Sequence, residues 1–323
     1  MFDLTNPIYQ DAEKAREYLE AIHWPNGPVC PHCGNVENGT IVRVEGVKKS
    51  HRPGLWYCNA CKDQFTVTVG TVFERSHLPL NKWVLASHLM AASKKGVSAH
   101  QLARTLGLSY KSAWFMAHRL RKAMEEDPAI SGPMGGSGKT VEADETYIGR
   151  KEAPQPSPQR RGRPYKYPNK AKLKRAVVAL VERGGSVRMF HVENATKETV
   201  GRIVLENIDL QSKLYTDESR LYTEVGVAFE DHSTVHHSSG EYARGDVHTN
   251  TIENVFSVFK RGMHGVYQHC GEAHLHRYLA EFQFRYNRRS GLGIGDHERL
   301  DNLLAGARGK RLTYRRTGLS SNA

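Results

Sequence analysis

Three acids draw attention by type and setting. Asp144 lies inside the β-type run VEADETYIG, Asp217 ends another in KLYTDES, and Glu253 opens a helix-like run, TNTIENVFSVFKRGM. Carboxylates gathered in one place repel one another until cations neutralise them. Their hard oxygens suit Mg²⁺ or Mn²⁺, and a pair of such ions stabilises both the attacking and the leaving oxygen of a phosphoryl transfer. Singly, each acid is weak evidence, because surface carboxylates are common, and Glu142, Glu145 and Glu218 are close competitors. Spacing gives the set its force. Thirty-five residues lie between Asp217 and Glu253, and Lys260 follows Glu253 by seven. Seven residues are near two helical turns, so Lys260 shares a face with Glu253 about 10 Å further on. A cation there would meet a phosphate running beside the metals; a plain surface lysine has the same spacing.

The cysteines carry a second chemistry. Cys30-Pro-His-Cys33 and Cys58-Asn-Ala-Cys61 are two CxxC pairs with 24 residues between them. Each pair is a tight turn aiming two thiolates at one point, and two turns complete a closed tetrahedral shell for structural Zn²⁺. Disulfides are disfavoured, since nothing in the sequence suggests an oxidising compartment. His32, inside the first turn, is a spacer facing solvent, and Cys270 stands alone as an incidental thiol.

These groups must be carried by elements that the pattern partly defines. Between the cysteines and the acids, VSAHQLARTLGLSYKSAWFMAHRL reads as two helices around a glycine turn. Ser98 caps the first, Gly107 ends it, and Ser109 caps the second. That matches a helix-turn-helix, whose second helix enters the major groove, although any pair of packed helices satisfies the same apolar pattern. Tyr110, Lys111, Ser112 and Arg119 sit on or near that helix as candidate DNA contacts. Further on, TVEADETYIG reads as a strand, RAVVALVERGGSVRMFHV as a strand pair, TKETVGRIVLENI as a helix and SKLYTDE as a strand. Two long helices follow. In the second, HLHRYLAEFQFRYNRR, Leu275, Tyr278, Leu279 and Phe282 form a sheet-packing face. Its Arg285, Arg288 and Arg289 either lie on DNA or make a solvated basic end.

Organisation follows from texture. Residues 1–80 hold an N-terminal helix and the cysteine module, 81–127 the helix-turn-helix, and 128–139 a small, Gly-rich linker. A mixed α/β domain spans 140–305, interrupted by a basic, Pro-rich insertion at 151–174. A basic tail occupies 306–323. With 46 Lys plus Arg against 34 Asp plus Glu, the net charge of +12 points to a polyanionic partner, nucleic acid first. No run of eighteen apolar residues suggests a membrane span. The acidic, helical start MFDLTNPIYQDAEKAREYLE carries no visible secretory signal.

ADETYIGRK, YTDESRLY, GEYARGDVHTNTIENVFSVFKRGMHGVY and HLHRYLAEFQFRYNRR resemble the bacterial insertion-sequence transposases called ISXO2-like, within the wider class of DDE transposases. Members also begin with a zinc ribbon containing CPHCG and a helix-turn-helix, so the resemblance covers about residues 15–305. It implies a ribonuclease-H-like catalytic domain with a mixed five-stranded sheet flanked by helices. Cleavage at transposon ends and strand transfer into target DNA would follow, with Mg²⁺ or Mn²⁺ on Asp144 and Asp217. Glu253 is the expected third ligand, but some members carry Asn there, and Asn250 and Asn254 are close by. Arg244, His248, Asn250, Lys260 and Arg261 are expected to meet DNA. A bacterial cytoplasm with the nucleoid, and a homo-oligomer on paired DNA ends, complete the expectation. A DNA-binding regulator derived from a transposase, or a nuclease that cuts without joining, are the rival readings.

Overall fold

The computed structural model describes residues 3–44, 52–149, 174–241 and 243–313, so the insertion expected at 151–174, Lys174 excepted, and the tail beyond 313 lie outside the described residues. The chain divides into two compact units, 1–125 with 294–323, and 126–293.

The first unit opens with α1 (Pro7–Gln10) and α2 (Ala12–His23). Asp11 caps α2 by accepting from the amides of Glu13 and Lys14 at 2.7 and 3.1 Å. A small antiparallel sheet follows, β1 (Ile41–Arg43), β2 (Trp56–Cys58) and β3 (Gln64–Phe65). Three helices come next, α3 (Leu80–Ala92), α4 (Ala99–Leu106) and α5 (Tyr110–Met124). The helix-turn-helix forms as its sequence predicts. Ser98 Oγ accepts from Gln101 N, Ser109 Oγ accepts from Ser112 N, and Gly107 ends α4 with φ +61°, a left-handed conformation suited to glycine.

In the second unit, α6 (Pro128–Ser131) leads into β4 (Thr140–Ile148), the centre of a five-stranded sheet. On one side lie β5 (Arg175–Glu182) and β6 (Val187–Val192), successively antiparallel. On the other lie β7 (Lys213–Asp217) and β8 (Asp231–Val235), both parallel to β4. This is a mixed five-stranded sheet flanked by helices, as the sequence predicts. Covered on both faces, β5 reads as an apolar run, RAVVALVE, without alternation. One face packs Val141, Ala143, Val178, Leu180 and Leu214 against α7 (Lys197–Asn207) and α8 (Thr223–Gly226). After a short hairpin, β9 (Ala243–Arg244) with β10 (Val247–His248), come α9 (Asn250–Gly262) and α10 (Leu275–Asn287). Ile252, Phe256, Phe259, Leu275, Tyr278, Leu279 and Phe282 from these helices cover Val177, Ala179 and Val181 on the opposite face.

Two expected boundaries shift. The last helix, α11 (Asp296–Ala305), was expected within the second domain but packs in the first unit. Its Leu300, Leu303 and Leu304 are buried there, and Leu304 O accepts from His23 Nε2 at 2.9 Å. Residues 134–139 are not a free linker either. Met134 is buried and exchanges backbone hydrogen bonds with the end of α7, while Gly136 N donates to Ser212 Oγ at 2.8 Å. At Gly135, with φ +85°, a Cβ would come within 2.1 Å of that same hydroxyl oxygen. Gly135, read as flexibility, is there for close approach.

Candidate active site

The first two acids come from neighbouring strands of the sheet. β4 and β7 run parallel with Val141 opposite Leu214 and Glu142 opposite Tyr215. Asp144 and Asp217 each lie two residues beyond the last paired residues of these strands, and the charge of Asp217 acts on Asp144. Side chains alternate along a strand. Val141, Ala143 and Leu214 face α7, so Asp144 and Asp217 face α9, the helix that carries Glu253. Glu253 is solvent-exposed, as are Asn250, Asn254, Lys260 and Arg261 on the polar side of the same helix.

Electrostatics tie the set together. Burial, reinforced by the charges of Asp217, Glu145 and Glu253, pushes the Asp144 carboxyl up to about 8. Burial also raises Asp217, opposed by the Ser219 amide and by His237, with Glu218 raising it further. His237 sits between two of the acids. Its Nε2 lies 3.5 Å from Glu253 Oε1 and 3.2 Å from Thr249 Oγ1. A carboxylate held this far above its ordinary range by burial, with neighbouring acids adding to it, fits a hard divalent cation, whose charge favours the ionised form. The acids still stand further apart than the thiols. Among the described residues, the four cysteines are the only group of three or more whose ligand atoms all lie within 4.8 Å of one another.

The competing acids have other duties. Glu142 is fully buried, its oxygens taken by Arg183 Nε at 2.7 Å, Thr251 Oγ1 at 2.8 Å and Ile252 N at 2.9 Å. Glu145 accepts from Tyr222 Oη at 3.0 Å, and burial with the Asp217 charge raises its carboxyl. Glu218 accepts from Ser238 N and Oγ. Sequence reasoning missed Arg183, Tyr222 and His237. Arg183 lies in a hairpin turn and Tyr222 in a loop, and no spacing within the chain links either to an acid.

Several candidate DNA contacts find different settings. Tyr110 and Lys111 are exposed at the start of α5, with His100 stacked on Tyr110 at 4.3 Å, and Ser112 is half-buried. Arg119 is a correction. It is buried, donates from Nη2 to Glu74 O at 2.5 Å and lies over the Trp83 and Phe115 rings. It serves the core because its position on α5 falls on the apolar face. His248 is drawn inward too, its Nδ1 accepting from Arg183 Nη2 at 3.0 Å and from Asn250 N at 3.3 Å. Arg244 is exposed, with Nη2 on Thr234 O at 3.2 Å. Arg285 on α10 is buried and pairs with Glu281; just past the helix, the half-buried Arg288 pairs with Glu126 and Arg289 donates to Gly185 O, so the three have protein partners rather than forming a freely solvated end.

In the cysteine module the sulfurs of Cys30 and Cys61 are 3.6 Å apart, and those of Cys33 and Cys58 3.7 Å. Metal–sulfur bonds of about 2.3 Å in a tetrahedron require an edge of about 3.8 Å, so the four donors fit Zn²⁺. The two turns repeat one design. Gly34 N donates to Cys30 O and Lys62 N to Cys58 O, and both residues are left-handed, at φ +75° and +62°. The Cys61 and Ala60 amides help pull the Cys58 thiol down to about 7. His32 is exposed, as expected of a spacer.

Comparison with known proteins follows the same division. Residues 135–287 match the model of the ISXO2-like transposase domain, and residues 10–64 that of the transposase zinc-ribbon domain. An uncharacterized protein in transposable element ISH50 of Halobacterium salinarum is 33% identical over 287 residues, covering 84% of this chain and 90% of that protein. The chain belongs to the ISXO2-like transposase family. That relative is archaeal, so the expected bacterial setting is not general to such proteins. Two solved structures of Mos1 transposase also match. A pre-cleavage transpososome is 12% identical, with TM-score 0.25, over 65% of this chain and 75% of that one. A paired-end complex with the left transposon end is 11% identical, with TM-score 0.18, over 59% and 76%. Among the described residues, no helix of this family member is long and apolar enough to cross a membrane.

Proposed function

We propose that this ISXO2-like family member is an active DNA transposase that cleaves at transposon ends and joins the freed strand to target DNA. The supporting observation is that Asp144 and Asp217 lie at matching positions of neighbouring parallel strands, on the sheet face covered by the helix of Glu253. Asp144 and Asp217 would hold Mg²⁺ or Mn²⁺, with Glu253, the charged donor on the exposed side of α9, completing the set ahead of the neutral Asn250 and Asn254. When bound, two such ions activate water or a 3′-hydroxyl and stabilise the leaving oxygen, and both reactions are in-line displacements at phosphorus. Lys260, exposed on the polar side of α9, orients a phosphate, and Asn250, Arg261 and Arg244 contact the strand nearby. Tyr110, Lys111 and Ser112 at the start of α5 read the transposon terminal repeats, with Zn²⁺ holding the ribbon. A homo-oligomer brings two ends together.

The experiment is strand transfer of a labelled transposon end into plasmid in Mg²⁺ or Mn²⁺. Wild type should give joined products, while Asp144→Asn, Asp217→Asn and Glu253→Gln each lose at least about a thousandfold. Unimpaired joining in all three would remove the mechanism. Nicking without joining would make the protein a nuclease, and specific DNA binding with neither reaction a regulator.

A further inference from the structure

The residue at the capping position of helix α9 does not cap it. Thr249 stands at the capping position, but its side chain makes no capping hydrogen bond; its hydroxyl lies 3.3 Å from Glu253 Oε1 instead. A helix start leaves backbone amides unsatisfied and attracts negative charge. Here that charge comes from the central strand, 110 residues earlier: Glu142 takes the Ile252 amide and the Thr251 hydroxyl. A carboxylate with no solvent exposure is tolerable only when paired, and Arg183 supplies the pair through Nε. The rest of that guanidinium ties down the approach to the helix. Nη1 donates to Asp246 O at 2.9 Å and Nη2 to His248 O at 2.9 Å, and the group lies over the Tyr215 ring at 5.0 Å.

The chain positions make the connection specific. Glu142 is two residues from Asp144 on the same face of β4, and the amide it anchors belongs to the residue before Glu253. We propose that Glu142 and Arg183 are a positioning pair for the third acid: they clamp the start of α9 to the strand of Asp144 and so fix Glu253 relative to it. Neither is a metal ligand. The inference rests on the reading of Glu253 as a ligand.

The test is Mn²⁺ binding to the full zinc-loaded chain, followed by the electron paramagnetic resonance of free Mn²⁺, with melting measured in parallel. Glu142→Gln is expected to weaken Mn²⁺ binding about ten- to a hundredfold, the range for residues that orient metal ligands. Turnover at saturating Mn²⁺ should stay within a few-fold of wild type. In a Glu253→Gln background the same change should weaken binding no further. Arg183→Lys keeps the charge but loses the fork, and should give a smaller loss of affinity in the same direction, which provides a readout if Glu142→Gln fails to fold. A lower melting temperature with unchanged Mn²⁺ affinity in the folded variants would overturn the proposal, reducing the pair to stability alone. Equal losses with and without Glu253 would also overturn it. Wild-type Mn²⁺ binding by Glu253→Gln itself would instead sink the ligand assignment, and the proposal with it.

Discussion

The cysteine module and the acid site are both sets of four or fewer metal donors, yet they stand differently in the same fold. The thiols gather to tetrahedral spacing, while the carboxylates share one face of a sheet without closing to such a group. Charge explains the contrast. A thiol is largely neutral near pH 7 and can sit against another as a weak hydrogen-bond partner. Carboxylates carry charge into each other's field, and one of them, Asp144, is driven toward holding a proton by burial and then by its acidic neighbours. The first site is shaped by backbone turns and the second by electrostatic demand, so metal should act on them differently: as a fold-forming strut in one and as relief of repulsion in the other.

The largest effect separates the two. Cys58→Ser is expected to abolish stoichiometric zinc, measured by atomic absorption, and to unfold the ribbon, because structural zinc binding is itself folding free energy. Mn²⁺ binding at the acids should persist. Loss of both metals together would show that the sites are one cooperative system and break the comparison.

Next comes the acid site. With Asp144 raised from 3.8 to about 8, the metal-free fold binds a proton that the unfolded chain has released across that window. Stability of metal-free protein should therefore be greatest below about pH 4 as far as this group is concerned, and fall as pH rises toward 8. Asp144→Asn should remove the slope and stabilise the protein above pH 8 by a few kcal/mol, on the order of the shift converted at about 1.4 kcal/mol per pH unit. Urea melts at pH 5 and pH 9 without added divalent metal measure it. A slope unchanged by the substitution would mean that Asp144 is not the strained group. Added Mg²⁺ should recover the wild-type loss and do little for the variant.

How legible each region was follows from the distance over which it is written. Both CxxC turns, the caps Ser98 and Ser109 and the stop at Gly107 depend on residues within a few positions, and all were readable. Four strands of the large sheet were readable as well, because apolar runs marked them, whereas β8, with its polar DHSTV, was not. What the chain does not display locally is pairing across the sheet. Glu142 was one acid among several until its partners, 41 and 110 residues away, showed it to be a helix cap. The glycines of 135–138 looked like slack, and the last helix like part of the nearest domain, since composition says nothing of what a segment touches.

Arg119 and Lys111 test the same point at intermediate size. Arg119→Ala is expected to lower stability by about 2 kcal/mol, through the buried guanidinium's lost contacts with Trp83, Phe115 and the Glu74 carbonyl. Lys111→Ala should change stability by less than about 0.5 kcal/mol. Its effect should appear instead in DNA affinity, with the slope of log affinity against log salt reduced by about one. Fluorescence anisotropy on a terminal-repeat duplex at several salt concentrations, beside thermal melts, distinguishes them. The opposite assignment would return Arg119 to the DNA surface.

The smallest effect lies inside the cysteine module and compares its two halves. The position after each second cysteine is left-handed, filled by glycine in the first turn and by Lys62 in the second, at φ +62°. A side chain there costs about 1 kcal/mol relative to glycine, from the approach of Cβ to the carbonyl oxygen. Lys62 is exposed, so little packing is lost on removing its side chain. Lys62→Gly should therefore stabilise the zinc-loaded chain by roughly 0.5 to 1 kcal/mol, the more flexible unfolded chain offsetting part of the gain. Gly34→Lys should do the reverse at the matching position. If the two substitutions shift the melting midpoint in the same direction, the turns are not equivalent, and their shared hydrogen-bond pattern would not be what sets the shell.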